Sequence, residues 1–406
     1  MTGSAYPVRR NTMLLSATLT CLSGTIQLVV AVATTTLVVV TGIEGILGLG
    51  PAIFLTTGAL AAFPAGRLMD RHGRVPILAA GCLAGVIGTS TTGLGCLWDS
   101  APVVIAGFAI VGVSNGTVLL ARAAAADMVP PERRPRQISI VLFGAVAGAI
   151  LGPFVFGPLF TGRDLDARGL VVPWLAAGGF MILALALVLS VRPDPQVIAR
   201  EYAGPSAGPA PHVPIGQILR RPGVGTALVA TVASFATMAA VMNLTGYVMV
   251  GHGHHQRDVF PVISAHIVGM YGLVLVVGDL IERIGRRESL VAGLGIMAVS
   301  TISLVWVAGA FAIGVALFGL GLGWSLSYVA ATSTLVDLAG PTERAQLVGF
   351  GDLVAGLTAA ALALLGGLAY SKQGVETLAI GATLAVVLPA IWLALGRRPR
   401  EALEAA

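Results

Sequence analysis

Apolar stretches long enough to cross a lipid bilayer recur along nearly the whole chain, separated by short polar breaks. A spanning helix needs about 20 mostly apolar residues, because a rise of about 1.5 Å per residue must cover about 30 Å of hydrocarbon. Twelve such segments can be counted, at roughly 13–41, 45–65, 75–97, 101–126, 137–160, 171–191, 223–250, 259–281, 289–308, 311–336, 346–369 and 376–396. The fold class is therefore an all-α membrane protein with twelve transmembrane helices. Composition agrees, since 56% hydrophobic and 11% charged residues is a balance no water-soluble domain of 406 residues sustains.

A formal net charge of +5 raises the question of a nucleic-acid partner. The placement of the basic residues answers it. With the N-terminus inside, Arg9, Arg71, Arg133, Arg220, Arg286 and Arg397 all fall at inner ends or loops. Of the 24 Lys and Arg residues, only Arg163, Arg168, Arg257 and Lys372 fall outside. That asymmetry follows the positive-inside rule, puts both termini in the cytoplasm and accounts for the charge without nucleic acid. The first apolar run, 13–41, lacks a convincing signal-cleavage site. Cys21, Cys82 and Cys96 form no CxxC pair and read as small packing residues.

The chain also repeats itself. GRLMDRHGR (66–74) follows the second span and GDLIERIGRR (278–287) follows the eighth, which pairs Asp70 with Glu282, Arg71 with Arg283 and Arg74 with Arg286 at an offset of 212. A second echo sets Asp127, before PPER, against Asp337, before GPTER, at an offset of about 210. Two independent matches at nearly one offset indicate a duplicated six-helix unit. The expected halves are 1–191 and 223–406, joined by a Pro-, Gly- and Ala-rich cytoplasmic linker over 192–222 that reads as irregular and mobile.

GRLMDRHGR closely resembles the signature loop of the major facilitator superfamily, and the resemblance in architecture covers essentially the whole chain. It implies alternating access between two rocking halves. By that resemblance Asp70, Arg71 and Arg74, with Glu282, Arg283 and Arg286 in the second copy, act as gating charges on the cytoplasmic face; the alternative is that they only enforce topology. AGAILGPFVFGP (147–158) partly resembles the fifth-helix motif of antiporters, departing from it at Pro158.

The residues that bear on cargo lie in the seventh and eighth spans. Met238 and Met242 are four apart in one, His266 and Met270 four apart in the other, and residues at i and i+4 share a helix face. Counted from the outer span ends, Met242 lies about 12 Å deep and His266 about 10 Å, with Met238 and Met270 at about 18 and 16 Å. Antiparallel neighbours would set Met242 opposite His266 and Met238 opposite Met270. Three thioethers and an imidazole at one depth are a soft ligand set suited to Cu(I). A Met pair at helical spacing is usually core filler, but an ionisable residue at membrane depth is expensive and points to function. Met249, on the same face, and the outward GHGHH turn with His252, His254 and His255 read either as a capture station for metal or as a solvated polar loop.

The paired MxxxM and HxxxM motifs resemble the hallmark of the CcoA-like copper importers, a branch of the same superfamily. That resemblance implies Met238, Met242, His266 and Met270 as copper ligands. It also implies uptake across the bacterial inner membrane for assembly of cbb-type cytochrome oxidase, with a cytoplasmic copper chaperone as a partner. Copper is then the transported substrate; no cofactor is expected, and the chain is expected to act as a monomer. Asp352 and Arg122, within the eleventh and fourth spans, could belong to a proton relay or a gating pair. His72 and His212 read as structural or incidental. No GxxxxGK loop suggests ATP drive, and no Ser/His/Asp or Cys/His arrangement suggests an enzyme. Two other readings stand beside copper import: proton-coupled efflux of a drug or metabolite, and a membrane copper receptor that binds without flux.

Overall fold

A computed structural model of the chain describes residues 6–130, 133–161, 166–203, 213–339 and 344–395; the side chains of Asp70 and Glu282, together with His212 and Arg397, lie outside the described residues. The described residues form helices and contain no strand. The first half comprises α1 (Val8–Thr41), α2 (Leu49–His72), α3 (Arg74–Leu97), α4 (Ala101–Val118), α5 (Ala121–Asp127), α6 (Arg134–Phe156) and α7 (Val171–Leu189). Two short helices, α8 (Pro195–Ala203) and α9 (Ile215–Leu219), lie between the halves. The second half comprises α10 (Val224–Gly251), α11 (Gln256–Tyr271), α12 (Val274–Ile284), α13 (Arg286–Ser303), α14 (Ala310–Leu338), α15 (Arg344–Gln373) and α16 (Val375–Leu395).

Ten helical stretches among the described residues are individually long and apolar enough to cross a membrane. The other two expected spans have a physical reason for missing that measure. The eighth is divided at Gly272–Leu273 into α11 and α12, and the ninth, α13, is 18 residues long and opens on Arg286, Arg287 and Glu288. The fourth span is likewise broken, between α4 and α5 at Leu119–Leu120.

The duplication reappears in the backbone. Residues 66–72, read from sequence as part of a loop, are the last two turns of α2, and the turn itself is Gly73 alone. Gly73 (φ 100, ψ 164) and its counterpart Gly285 (φ 94, ψ 153) adopt one conformation, open to glycine and strained for any residue with a Cβ. Packing within each half repeats too. A Cβ on Gly116 would lie 2.1 Å from the Gly58 carbonyl oxygen, and one on Gly321 2.3 Å from that of His266, so glycines draw α4 onto α2 and α14 onto α11. Small residues of this kind let membrane helices approach backbone to backbone.

The halves meet along α1 with α10, α2 with α15 and α6 with α11. The linker differs from the sequence expectation of a mobile segment, since its two ends are docked. Ile198 and Ile218 are fully buried. The Asp194 carboxylate accepts from the backbone N–H groups of Arg74 (3.0 Å), Val75 (2.8 Å) and Gln196 (2.8 Å), so it caps the start of α3 as well as its own turn.

Candidate functional site

α11 is held to α14 along the turn that carries HxxxM. Gly269 and Gly321 remove the side chains that would separate the two backbones; a Cβ on Gly269 would lie 2.3 Å from the Phe318 carbonyl oxygen. At this seam His266 is fully enclosed, and its Nδ1 lies 2.7 Å from the Leu317 carbonyl oxygen. A carbonyl only accepts, so Nδ1 carries the proton and Nε2 presents a lone pair. That Nε2 is buried and has no hydrogen-bond partner among the described residues. Met238, Met249 and Met270 belong to one continuous buried cluster, and half-buried Met242 packs against it. The sequence-derived picture of α10 and α11 as facing neighbours needs adjustment: α11 packs chiefly on α14 and α6 and meets α10 along a narrower seam.

The outward histidines separate into different roles. His255 caps α11 in a reciprocal box with Asp258. The His254 Nε2 lies 2.6 Å from the Ala308 carbonyl oxygen and so ties the turn to the chain entering α14. His252, whose Nδ1 lies 2.7 Å from the Val248 carbonyl oxygen, lines a cavity of about 140 Å³ together with Met249, Trp306, Ala308 and Val375. Among the described residues no group of three or more His, Cys, Asp or Glu side chains could hold a metal.

Arg122 and Asp352, placed separately by sequence, come together. Arg122 on α5 lies 3.6 Å from the Asp352 Oδ2 on α15, so the pair crosses from one half to the other. The Tyr328 hydroxyl on α14 donates to the other oxygen, Oδ1. Tyr328 stacks on Trp324 (4.9 Å between centroids, 15° between planes), and its ring also lies 6.0 Å from Phe235 of α10. Trp324 in turn meets Tyr271 edge-on at 5.8 Å, and Tyr271 directly follows Met270. The aromatic chain thus runs from the HxxxM turn to the inter-half ion pair. Tyr328, Trp324, Tyr271 and Gly321 were missed by sequence reasoning. The signal for two of them was present, in the i, i+4 spacing of Trp324 and Tyr328 within a span otherwise rich in small residues.

The two sequence echoes prove to be partners. Arg74 pairs with Asp127 at 2.8 Å, and Arg286 pairs with Asp337. Each of these two pairs joins residues of one half. Arg71 and Arg283 are exposed. Pairing of Asp70 and Glu282 lies outside the described residues.

Comparison with known proteins agrees with this architecture. A family model described as Major Facilitator Superfamily matches residues 13–363 and 262–405. The uncharacterized MFS-type transporter YdeG of Bacillus subtilis (strain 168) is 30% identical over 360 residues, 86% of this chain and 83% of its own. The riboflavin transporter RfnT of Brucella anthropi is 29% identical over 323 residues, 79% of each chain. Among solved structures, a D-xylose-proton symporter superposes with a TM-score of 0.74 at 15% identity, over 94% of this chain and 96% of its own. That likeness speaks to the fold. By sequence, repeat and architecture together, this chain is a multi-pass membrane transporter belonging to the major facilitator superfamily.

Proposed function

We propose that this transporter imports copper by alternating access across the bacterial inner membrane, both termini cytoplasmic, and supplies it for assembly of a cbb-type cytochrome oxidase. The observation that carries the reading is the state of His266: a fully enclosed imidazole whose Nδ1–H is committed to Leu317, leaving a buried Nε2 lone pair without a partner. A buried acceptor with no donor costs about 1–3 kcal/mol, which a cation delivered to that nitrogen would offset. Met238, Met242 and Met270 are the thioethers available from the same two helices. The set is neutral, so it favours a soft monovalent ion and needs no buried anion to hold it. His252 and Met249, beside the cavity at the opposite end from the linker, would receive the ion first, and a cytoplasmic chaperone would take it on release.

A second reading, movement of an organic solute coupled to protons, draws on a specific observation. Phe235, Trp324 and Tyr271 form a chain of rings with Tyr328, whose hydroxyl donates to the Arg–Asp pair between the halves, and exposed faces of such rings suit a planar molecule. The relative named as a riboflavin transporter lends weight to it. Radioactive copper uptake into cells expressing or lacking the protein separates the readings. Accumulation that depends on the protein supports import. Loss of an organic compound from the cells with no copper uptake supports the second reading, and copper binding without flux would make the protein a receptor.

A further inference from the structure

On a face separate from His266 and Met270, α11 and α14 enclose a groove of about 400 Å³ near the end of the bundle opposite the linker. From α11 it takes Asp258, Pro261, Val262 and Ala265, and from α14 Phe311, Gly314, Val315 and Phe318. Each set follows the i, i+3, i+4, i+7 spacing of a single helix face. Gly314 forms the floor. A Cβ there would meet only Val262, at 3.8 Å, so the missing side chain is what leaves the trough. The walls stand in the open: Phe311 is 87% exposed and Val315 56%, both inside an apolar span. In a chain that crosses a membrane, an exposed apolar patch of this kind faces lipid.

The groove opens at the membrane interface. Trp306, 75% exposed in the segment that enters α14, stands at the same end, where aromatic side chains sit at headgroup level. Opposite charges flank the mouth. Arg257 and Asp258, adjacent in the first turn of α11, have side chains 53% and 37% exposed, and the Arg257 Nε lies 3.8 Å from the Asp258 Oδ1, longer than a hydrogen bond. Both keep capacity for a ligand. The Asp258 Oδ2 accepts from the His255 N–H at 3.2 Å, which holds the carboxylate in place. Pro261 has no N–H, so the Arg257 carbonyl, four residues earlier, lacks its intrahelical donor and adds an acceptor at the same turn. A guanidinium is a forked donor for phosphate, and a carboxylate beside a spare carbonyl is an acceptor set for an ammonium that carries N–H groups. A trimethylated ammonium has none to give. From Asp258 to Ala265 the groove runs about 10 Å along α11, much of the roughly 15 Å of hydrocarbon in one leaflet.

We propose that this groove binds one phospholipid with a primary-ammonium headgroup, of the phosphatidylethanolamine kind. Its phosphate meets Arg257, its ammonium donates to Asp258 and the Arg257 carbonyl, and one acyl chain lies over Gly314 between Pro261 and Phe318. The chain rests against neighbours of both partners in the His266 hydrogen bond, since Ala265 precedes His266 and Phe318 follows Leu317. An occupied groove thus braces the α11–α14 seam from its membrane side. The lipid acts on the seam and not on the cargo, so the site holds whether the transported solute is copper or organic.

Photolabelling of the purified full-length protein tests this. Nanodiscs of phosphatidylcholine carry a trace of a phosphatidylethanolamine analogue with a diazirine on its acyl chain, and peptide mass spectrometry locates the adducts. These should concentrate on residues 258–265 and 310–318. Unlabelled phosphatidylethanolamine should displace them about ten-fold better than phosphatidylcholine or phosphatidylglycerol, the worth of one charge-assisted hydrogen bond. G314L, whose side chain fills the trough, should lose these adducts while labelling elsewhere on the lipid-facing surface persists. D258N serves if G314L does not fold: its amide oxygen can still accept from the His255 N–H, but without the charge the advantage of phosphatidylethanolamine over phosphatidylcholine should vanish. Adducts spread evenly over the lipid-facing helices would overturn the assignment. So would equal competition by phosphatidylglycerol and phosphatidylethanolamine, groove labelling that survives in folded G314L, or an undiminished preference in D258N.

Discussion

At the scale of single residues, the account rests on a difference between two kinds of histidine. His72 is exposed, with its Nδ1 3.3 Å from the Leu68 carbonyl oxygen of its own helix. His72→Ala should therefore leave stability within about 0.5 kcal/mol and copper accumulation close to wild type. His266→Ala and Met242→Ala should abolish accumulation while the protein still expresses and inserts, because each removes a proposed ligand without shortening an apolar span. Uptake by cells and membrane levels by immunoblot check both. Wild-type uptake in either variant would remove that residue from the site. The proposed ligands stand out in the sequence because an ionisable residue is unusual at the depth of His266. The tautomer of His266 does not, because it is set by Leu317, 51 positions away on another helix.

At the scale of helices, the proposed copper site depends on how closely α11 and α14 approach. A valine at Gly321 would drive its Cβ to 2.3 Å from the His266 carbonyl oxygen and 2.9 Å from the Met270 nitrogen. Overpacking of this kind costs about 1–3 kcal/mol, and here it falls on the backbone that holds both candidate ligands. Gly321→Val should lower the melting temperature and weaken copper binding together. Gly295→Ala, where a Cβ meets nothing within 4 Å, should do neither. Thermal unfolding and equilibrium dialysis with copper check the pair. In the signature turn, Gly73→Ala should cost about 1–3 kcal/mol through its positive φ, and its Cβ would also crowd the Asp194 carboxylate at 2.8 Å. The duplicated turns were legible from sequence because glycine and charge recur at one offset. The break between α11 and α12 was not, since Gly272 and Leu273 sit within a continuous apolar run that hydropathy reads as one span.

At the scale of the whole molecule, hydrogen bonds join the halves from the middle of the bundle toward the end opposite the linker, in addition to the Arg122–Asp352 pair nearer the linker. Gln27 Nε2 donates to Ser264 Oγ at 3.0 Å, Gln256 Nε2 to the Ala31 carbonyl at 3.0 Å, and Thr34 Oγ1 to the Asn243 carbonyl at 3.2 Å. Interhelical hydrogen bonds in membranes are worth about 0.6 kcal/mol each, so this closure is cheap to undo, as a transporter that alternates requires. The Arg74–Asp127 pair acts within its half, so Asp127→Asn should slow transport by loosening the end of α5 while copper binding to the purified protein persists. Loss of binding in that variant would contradict the separation of gate and site. The central claim, that thioether sulfur and not packing volume makes this a copper transporter, is tested most directly by uptake into proteoliposomes containing wild type or the double variant Met238→Leu, Met242→Leu. That exchange keeps volume and apolarity nearly constant, at a cost below about 1.5 kcal/mol per site, while deleting two sulfurs. The account requires that wild type take up copper, that Ag(I) compete strongly and Zn(II) weakly, and that the double variant insert and fail to transport. Full transport by the double variant, or equal inhibition by the two metals, would contradict it.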